Sequence, residues 1–261
     1  MELLNKFNEK LDILLAWIKT QYDKAEDFLT DHRNVKISMI ITLIGYHVLL
    51  ILGVIIAQFN SDFSAIDGYN IWDNWISDLG GSTFTPMPIF YDLAACLAGI
   101  LTIPLTFFIE KTVASVPSKL EELHQYSRWR FRFASYGFIF GLIGNIGYIF
   151  VGLFSADRNY WGLHGIASIL SFGGFVFAGF FFGLCIVFYK TSIPREFGIY
   201  MIIVPPLTMI LYQILPAYTP ISNPFMEWML LFSILAWVNP LCIYTLRQFK
   251  KEKMLQKKLI K

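Results

Sequence analysis

Charge is scarce in this chain. Asp, Glu, Lys and Arg make up 15% of its 261 residues, where a soluble domain carries roughly 25%. The few charges cluster between long apolar runs, the pattern expected when hydrocarbon is the solvent for most of the surface. Cysteine is scarcer still. Cys96, Cys185 and Cys242 are an odd number, all inside apolar runs, which excludes a disulfide framework or a cysteine-based zinc site and leaves small packing residues. No nucleic-acid or phosphate-loop motif is present. The Gly141, Gly144, Gly147 series lies in an apolar run, without the strand and acid that a dinucleotide site requires.

Two sharper functions fall on inventory. A retinal protein needs lysine within a span, and no apolar run contains one. A membrane zinc hydrolase of the ceramidase or adiponectin-receptor type wants about three clustered histidines with an acid. Here His32 and His124 fall among basic connections and His47 falls mid-run, leaving His164 alone on the other side.

What the chain has is apolar length: 56% hydrophobic residues, 17% aromatic, 25 of them Phe. Six runs, near residues 37–58, 87–110, 133–155, 163–189, 199–217 and 226–246, are long enough to cross ~30 Å of hydrocarbon as helices. No cleavable signal sequence is expected, since the first run begins only at Ile37 and is long enough to span. Lys and Arg sort to one side. They precede the first run, fill the second-to-third connection (Lys111, Lys119, Arg128, Arg130, Arg132), mark the fourth-to-fifth (Lys190, Arg195) and crowd the tail from Arg247 to Lys261. Of 21 basic residues, only Arg158 falls opposite. The positive-inside rule puts both ends in the cytoplasm and Asp62, Asp67, Asp73, Asp78, Asp157 and Glu227 outside. The expected fold is therefore all-α, a polytopic six-span protein of the cell membrane. It divides into a cytoplasmic amphipathic helix (1–36), a transmembrane domain (37–246) and a basic cytoplasmic tail (247–261).

Within the first 30 residues, Leu4, Phe7, Leu11, Leu14, Leu15, Ile18, Tyr22, Ala25 and Leu29 share one helical face. That helix either lies on the inner leaflet or pairs as a short coiled coil. The tail should favour anionic headgroups. Gly137, Gly141 and Gly144 on the third run, and Ala167, Ser171, Gly174 and Ala178 on the fourth, predict a tightly packed hairpin. Pro205, Pro206 and Pro240 predict bends in the last two spans.

The long outer loop, residues 59–86, carries the most information. Ile71, Trp72, Trp75, Ile76 and Leu79 cover one side of a helical wheel, and Asn70, Asp73, Asn74, Ser77 and Asp78 the other. This predicts a short helix in the outer interface, anchored by tryptophan. Thr85 should then cap the second span, with Pro86 at its first position. Asp92 falls inside that span, where a carboxylate faces a partner or a wet cavity. Asp157 and His164 flank the third-to-fourth turn, and His164 heads a stripe with Ser168 and Ser171. With Tyr91, Gln213 and Glu227 at compatible depth, these residues outline a polar cup. His47, near the midplane, needs a hydrogen-bond partner; Asn145 and Tyr148 lie at suitable depth.

The run Trp75-Ile76-Ser77-Asp78-Leu79-Gly80 before a span, then Gly152-Leu153-Phe154-Ser155-Ala156-Asp157 and His164, resembles two motifs of a prokaryotic six-span membrane family of unknown function. That family is similar to the group containing damage-regulated autophagy modulators and GPI-anchor remodelling factors. Ser155 stands where the second motif commonly has Pro. The resemblance covers roughly residues 37–246 and implies Ser77, Asp78, Gly80, Asp157 and His164 as the matching positions. It also implies lipid handling, to which the eukaryotic relatives are tied.

The resulting expectation is an outward-facing site that binds or remodels lipid or lipid-linked molecules. Asp78, Asp157 and His164 are its catalytic candidates, an acid orienting His164 as general base. Arg158 would hold a phosphate, and Ser77, Tyr91, Asp92, Ser168 and Gln213 would line the site. No cofactor is called for, and no metal beyond what Asp78, Asp92, Asp157 and His164 could jointly hold. Membrane lipids are the expected partners, nucleic acid is not. The alternative is a non-catalytic scaffold or regulator. A small transporter would need polar residues continuing past His47, where Asn239 stands alone, and shows no internal repeat.

Overall fold

The computed structural model describes residues 2–59, 68–115 and 127–259, and these form helices and loops with no strand among them. Asp62, Asp67, Lys119, His124 and Lys261 lie outside the described residues. Among the described residues, six helices are long and apolar enough to cross a membrane: His32–Ala57, Ile89–Val113, Arg128–Leu153, Tyr160–Phe188, Arg195–Tyr218 and Asn223–Leu255. The chain is an all-α, multi-pass membrane protein.

Helices run further than hydropathy does at the end where Lys and Arg gather, here called the basic end. The N-terminal helix, Glu2–Thr30, stops at Asp31, whose carboxylate accepts from the Arg33 and Asn34 N–H groups at 2.9 and 3.2 Å. That cap starts the helix of the first span at His32. The last helix does not stop at Leu246. It continues to Leu259, 37 residues in all, or about 55 Å at 1.5 Å per residue. Nothing after Arg247 opposes helix, since Arg, Lys, Gln, Glu, Met and Leu are all good formers. The segment from Arg247 to Leu259 thus continues the sixth helix.

The N-terminal helix docks on the basic end of the second span. Lys111 reaches Glu26 at 3.6 Å and the Thr30 hydroxyl at 3.3 Å, and Tyr22 faces Phe107. Leu11, Leu14, Leu15 and Ile18 of its apolar stripe remain exposed. His32 stacks on Phe249 with ring centroids 4.4 Å apart. The start of the first span and the end of the last helix therefore meet at one end of the bundle.

The small-residue stripes do what their spacing predicts, with one exception. A Cβ on Gly147 would sit 2.6 Å from the Ser171 nitrogen, and one on Gly144 would sit 3.0 Å from that of Phe175. Only glycine lets the third and fourth spans come this close. Gly141 instead faces Thr106 of the second span, where a Cβ would meet its methyl at 2.7 Å.

Two irregularities appear where no bend was expected. The second span breaks at Thr102 (φ −86°, ψ −8°) into Ile89–Leu101 and Ile103–Val113. Pro104 has no N–H to give the Ile100 carbonyl. The first span contains a π-helical turn, Thr42–Tyr46. The helices carrying Pro205, Pro206 and Pro240 continue through these residues without interruption.

Both irregularities border a small cavity of about 50 Å³, lined by Thr42, Tyr46, Thr102, Tyr148, Ser171 and Asn239 together with apolar side chains. Polar groups pair across this level. Tyr46 and Tyr148 hydroxyls are 2.8 Å apart, and Asn145 joins Thr102 at 2.6 Å and Thr106 at 3.0 Å. His47 Nε2 accepts from the Asn239 amide at 3.0 Å. Its partner is thus Asn239 of the sixth span, not Asn145 or Tyr148, whose polar groups are already engaged.

A candidate site at the acidic end

The first motif folds as a plug, not as an interfacial helix. Asn70 opens it, its side-chain oxygen accepting from the Trp72 and Asp73 N–H groups at 2.9 and 3.1 Å. This local turn outcompetes a regular helix. Trp75 is extended, and Ile76–Gly80 form a single buried 3₁₀ turn. Asp78 accepts from the Trp75 N–H at 2.9 Å, as a capping carboxylate does. Trp72 stacks on Phe225 with centroids 4.1 Å apart, while half of it stays exposed.

Two spans hold this plug by its backbone, and a third packs against it. Glu227, buried in the last span, accepts from the Ile76 N–H at 2.8 Å. The Trp228 indole donates to the Asn74 carbonyl at 3.1 Å, and the Tyr69 hydroxyl donates to that of Trp75 at 2.8 Å. Gln58 of the first span's end donates to the Tyr69 carbonyl at 2.5 Å. Gly80 closes the turn against the second span: a Cβ there would lie 2.8 Å from Asp92 Oδ1 and 3.1 Å from Ser155 and the Tyr91 ring. Every residue of the motif thus has a packing or backbone role. Burial pushes the Asp78 carboxyl up to about 6, against the opposing bonds from Trp75 and Asn74. Burial also raises the Tyr69 phenol.

The expected cap of the second span moves. Helix begins at Ile89 with Pro88 at its N-cap, and Thr85, fully buried, accepts from the Met87 N–H at 3.4 Å. Neither Pro86 nor Pro88 has an N–H to bond, so the chain stays non-helical until both are passed.

The second motif builds a separate network. Asp157 accepts from the Ser82 N–H at 2.7 Å, the Ser82 hydroxyl at 2.6 Å and the Ser155 hydroxyl at 2.6 Å. Burial works against its ionisation, but these three donors prevail and hold its carboxyl down at about 2. Ser155 also accepts from Arg158 Nε at 2.9 Å, and Arg158 forms an ion pair with Asp92. Asp92 is 9% exposed and Arg158 45%. The second carboxylate oxygen of Asp92 is buried without a partner. Charged and hydroxyl groups therefore alternate, Asp92, Arg158, Ser155, Asp157 and Ser82, joining the second span, the third-to-fourth turn and the loop after the plug.

His164 belongs to the same turn but not to that chain. Its Nδ1 donates to the Phe154 carbonyl at 2.6 Å, and its backbone N–H donates to the Asn159 side chain at 3.0 Å. A carbonyl can only accept, so Nδ1 bears a proton in this contact. Next to it, Trp161 sits in the left-handed region at φ 52° and is 91% exposed. A non-glycine residue held there stores of order 1 kcal/mol or more.

The three catalytic candidates make no hydrogen bond to one another. Asp78 is committed to the plug, Asp157 to Ser82 and Ser155, and His164 to Phe154. Among the further predicted lining residues, Asp92 and Arg158 come together, Tyr91 packs in the buried cluster with Tyr69 and Trp228, and Ser77 is buried in the plug. Ser168 is half-buried and Gln213 is exposed on the fifth span. No group of three His, Cys, Asp or Glu positioned to hold a metal ion is present among the described residues. Sequence reasoning missed Ser82 and Ser155 as ligands of Asp157. A serine in a polar loop carries no pattern that names its partner. It also placed Glu227 only by depth; a carboxylate in the first turns of an apolar span was the available signal. No family model, characterised protein or solved structure matches this chain.

Proposed function

We propose that the protein binds the headgroup of a zwitterionic phospholipid at the acidic end, and binds it without hydrolysing it. The observation that carries this reading is the exposed Asp157 carboxylate beside the half-exposed Arg158 guanidinium, the two joined through the buried Ser155 hydroxyl. The Arg158 guanidinium spends Nε on Ser155 and one terminal nitrogen on Asp92, which fixes its plane and leaves further donors at a half-exposed edge. Such a pre-oriented fork suits a phosphate. The exposed Asp157 carboxylate alongside, ionised throughout the physiological range, suits an ammonium group. The cluster carries one cation and two carboxylates, so a zwitterion fits its balance better than an anion. Tyr160 and Trp161, 64% and 91% exposed, would sit at headgroup level, as interfacial aromatics do. Both motifs resemble those of a six-span family of unknown function, which is in turn similar to a group with lipid-handling members; that resemblance is in keeping with this reading.

Hydrolysis is less well supported. A general base needs its orienting acid within hydrogen-bonding reach, and His164 has a backbone carbonyl in that place. The second reading is a scaffold whose acidic-end network only clamps the loop to the bundle; the structural commitments of Asp78 and Asp157 favour it.

Native mass spectrometry separates the two. Arg158→Gln is combined with Asp92→Asn, which avoids leaving an unpaired buried carboxylate. The double variant should lose retained phosphatidylethanolamine or phosphatidylcholine while staying folded, and Asp157→Asn should weaken retention. Equal retention in all three proteins would refute binding here and leave the scaffold reading.

A further inference from the structure

The opposite, basic end carries an open seam between the first span and the last helix. A cleft of about 640 Å³ lies there. Arg33 and Lys36 stand on one wall and Lys250 and Lys253 on the other, over a floor of Ile40 and Leu246. On each helix these residues recur at intervals of three, four or seven, so each wall is a single helical face. Arg33 and Ile40 are seven residues apart, as are Leu246 and Lys253, which gives about 10 Å from charged rim to apolar floor.

The seam has a definite upper end. Another seven residues along each helix, again about 10 Å, His47 and Asn239 meet in the hydrogen bond that joins the two spans. The total, roughly 20 Å, matches a headgroup plus most of one leaflet's ~15 Å of hydrocarbon. At the rim, His32 is held by the Phe249 ring and lies 3.9 Å from Glu252, among the described residues the one carboxylate lining the cleft. Among the described residues, none of the four cations forms an ion pair. Four positive charges face one negative charge.

We propose that this seam holds one anionic phospholipid of the cytoplasmic leaflet. Its phosphate lies among Arg33, Lys36, Lys250 and Lys253, and an acyl chain runs past Ile40 and Leu246 toward His47 and Asn239. Charge complementarity selects an anion, and basic pockets between spans on this side favour such headgroups. The apolar floor at membrane depth selects a lipid over a soluble phosphate. This inference does not rest on the acidic-end site, which lies at the other end of the bundle and favours a zwitterion.

The test is native mass spectrometry of the full chain in neutral detergent, titrated with phosphatidylglycerol or phosphatidylcholine. One phosphatidylglycerol should bind at least ~10-fold more tightly than phosphatidylcholine, given roughly fivefold per cation near a charged headgroup. Changing Arg33, Lys36, Lys250 and Lys253 together to Gln should abolish that preference. All four are exposed, so the melting temperature in lipid-free detergent should stay unchanged. Leu246→Trp, which fills the floor with the charges retained, should also weaken phosphatidylglycerol. The proposal is overturned by equal affinity in the fourfold variant, by no lipid preference in the wild type, or by displacement with excess soluble glycerol phosphate.

Discussion

Removing Arg158 should damage the protein far more than removing the charge of its partner. In the Arg158–Asp92 pair, the guanidinium is 45% exposed and the carboxylate 9%. Arg158→Gln leaves Asp92 buried in the first turn of the second span, with one oxygen already lacking a partner and the other newly orphaned. Breaking a buried pair from one side costs about 3–5 kcal/mol. Because Arg158 is itself half in water, the lower figure applies, about 3 kcal/mol. Asp92→Asn is milder. The guanidinium keeps Ser155 and rehydrates its open edge, so the loss is that of a surface pair, about 1 kcal/mol or less. The double variant should be less damaged than Arg158→Gln alone, since no buried charge is left. Equilibrium unfolding in mixed micelles with increasing sodium dodecyl sulfate, followed by tryptophan fluorescence, gives all three values. If Asp92→Asn destabilises as much as Arg158→Gln, or if the two losses simply add, desolvation does not govern this pair and the reasoning fails.

Two other outcomes follow from the same geometry. Asp78 and Asp157 should shape acid stability in opposite senses. The folded Asp78 carboxyl, at about 6 against 3.8 unfolded, takes up a proton first, so its contribution grows as pH falls from 6 towards 4. Asp157, at about 2 against 3.8, contributes fully above pH 4 and loses its contribution as pH falls towards 2. Melting curves of Asp78→Asn and Asp157→Asn should each flatten only its own limb; a flattened upper limb in Asp157→Asn would contradict the assignment. At the midplane, Asn145→Leu removes bonds to Thr102 and Thr106. With interhelical bonds averaging ~0.6 kcal/mol, the loss should be about 1–2 kcal/mol, and Thr102→Val in the same background should add less than it does alone. Full additivity would show that the two side chains are not coupled.

Six spans, their all-helical nature and the gathering of cations at one end were legible in the sequence, because each follows from a transfer free energy summed over a run of residues. Close packing of the third and fourth spans was legible too, since small residues at helical spacing admit few other readings. The outer loop was not. On a wheel, Ile71, Trp72, Trp75, Ile76 and Leu79 make an amphipathic surface helix, yet Asn70 and Asp78 tie up the backbone in local turns, and Ile76 and Leu79 turn inward while Trp72 stays half exposed. A wheel counts periodicity and ignores competition from side-chain acceptors.

The candidate site divides in the same way. An expensive charge at Asp92 was readable from depth alone, and so was its need for a partner. That the partner is Arg158, that Asp157 is met by Ser82 across 75 residues, and that Asp78 is occupied with Trp75 could be decided only in three dimensions. The break at Thr102, the π-turn at Thr42–Tyr46 and the pairing of His47 with Asn239 belong to that second class. Composition fixes which groups must be satisfied, since the bilayer charges each unmet one several kcal/mol. It does not fix which neighbour satisfies them, because several donors lie at equal depth and only helix rotation and loop path choose among them.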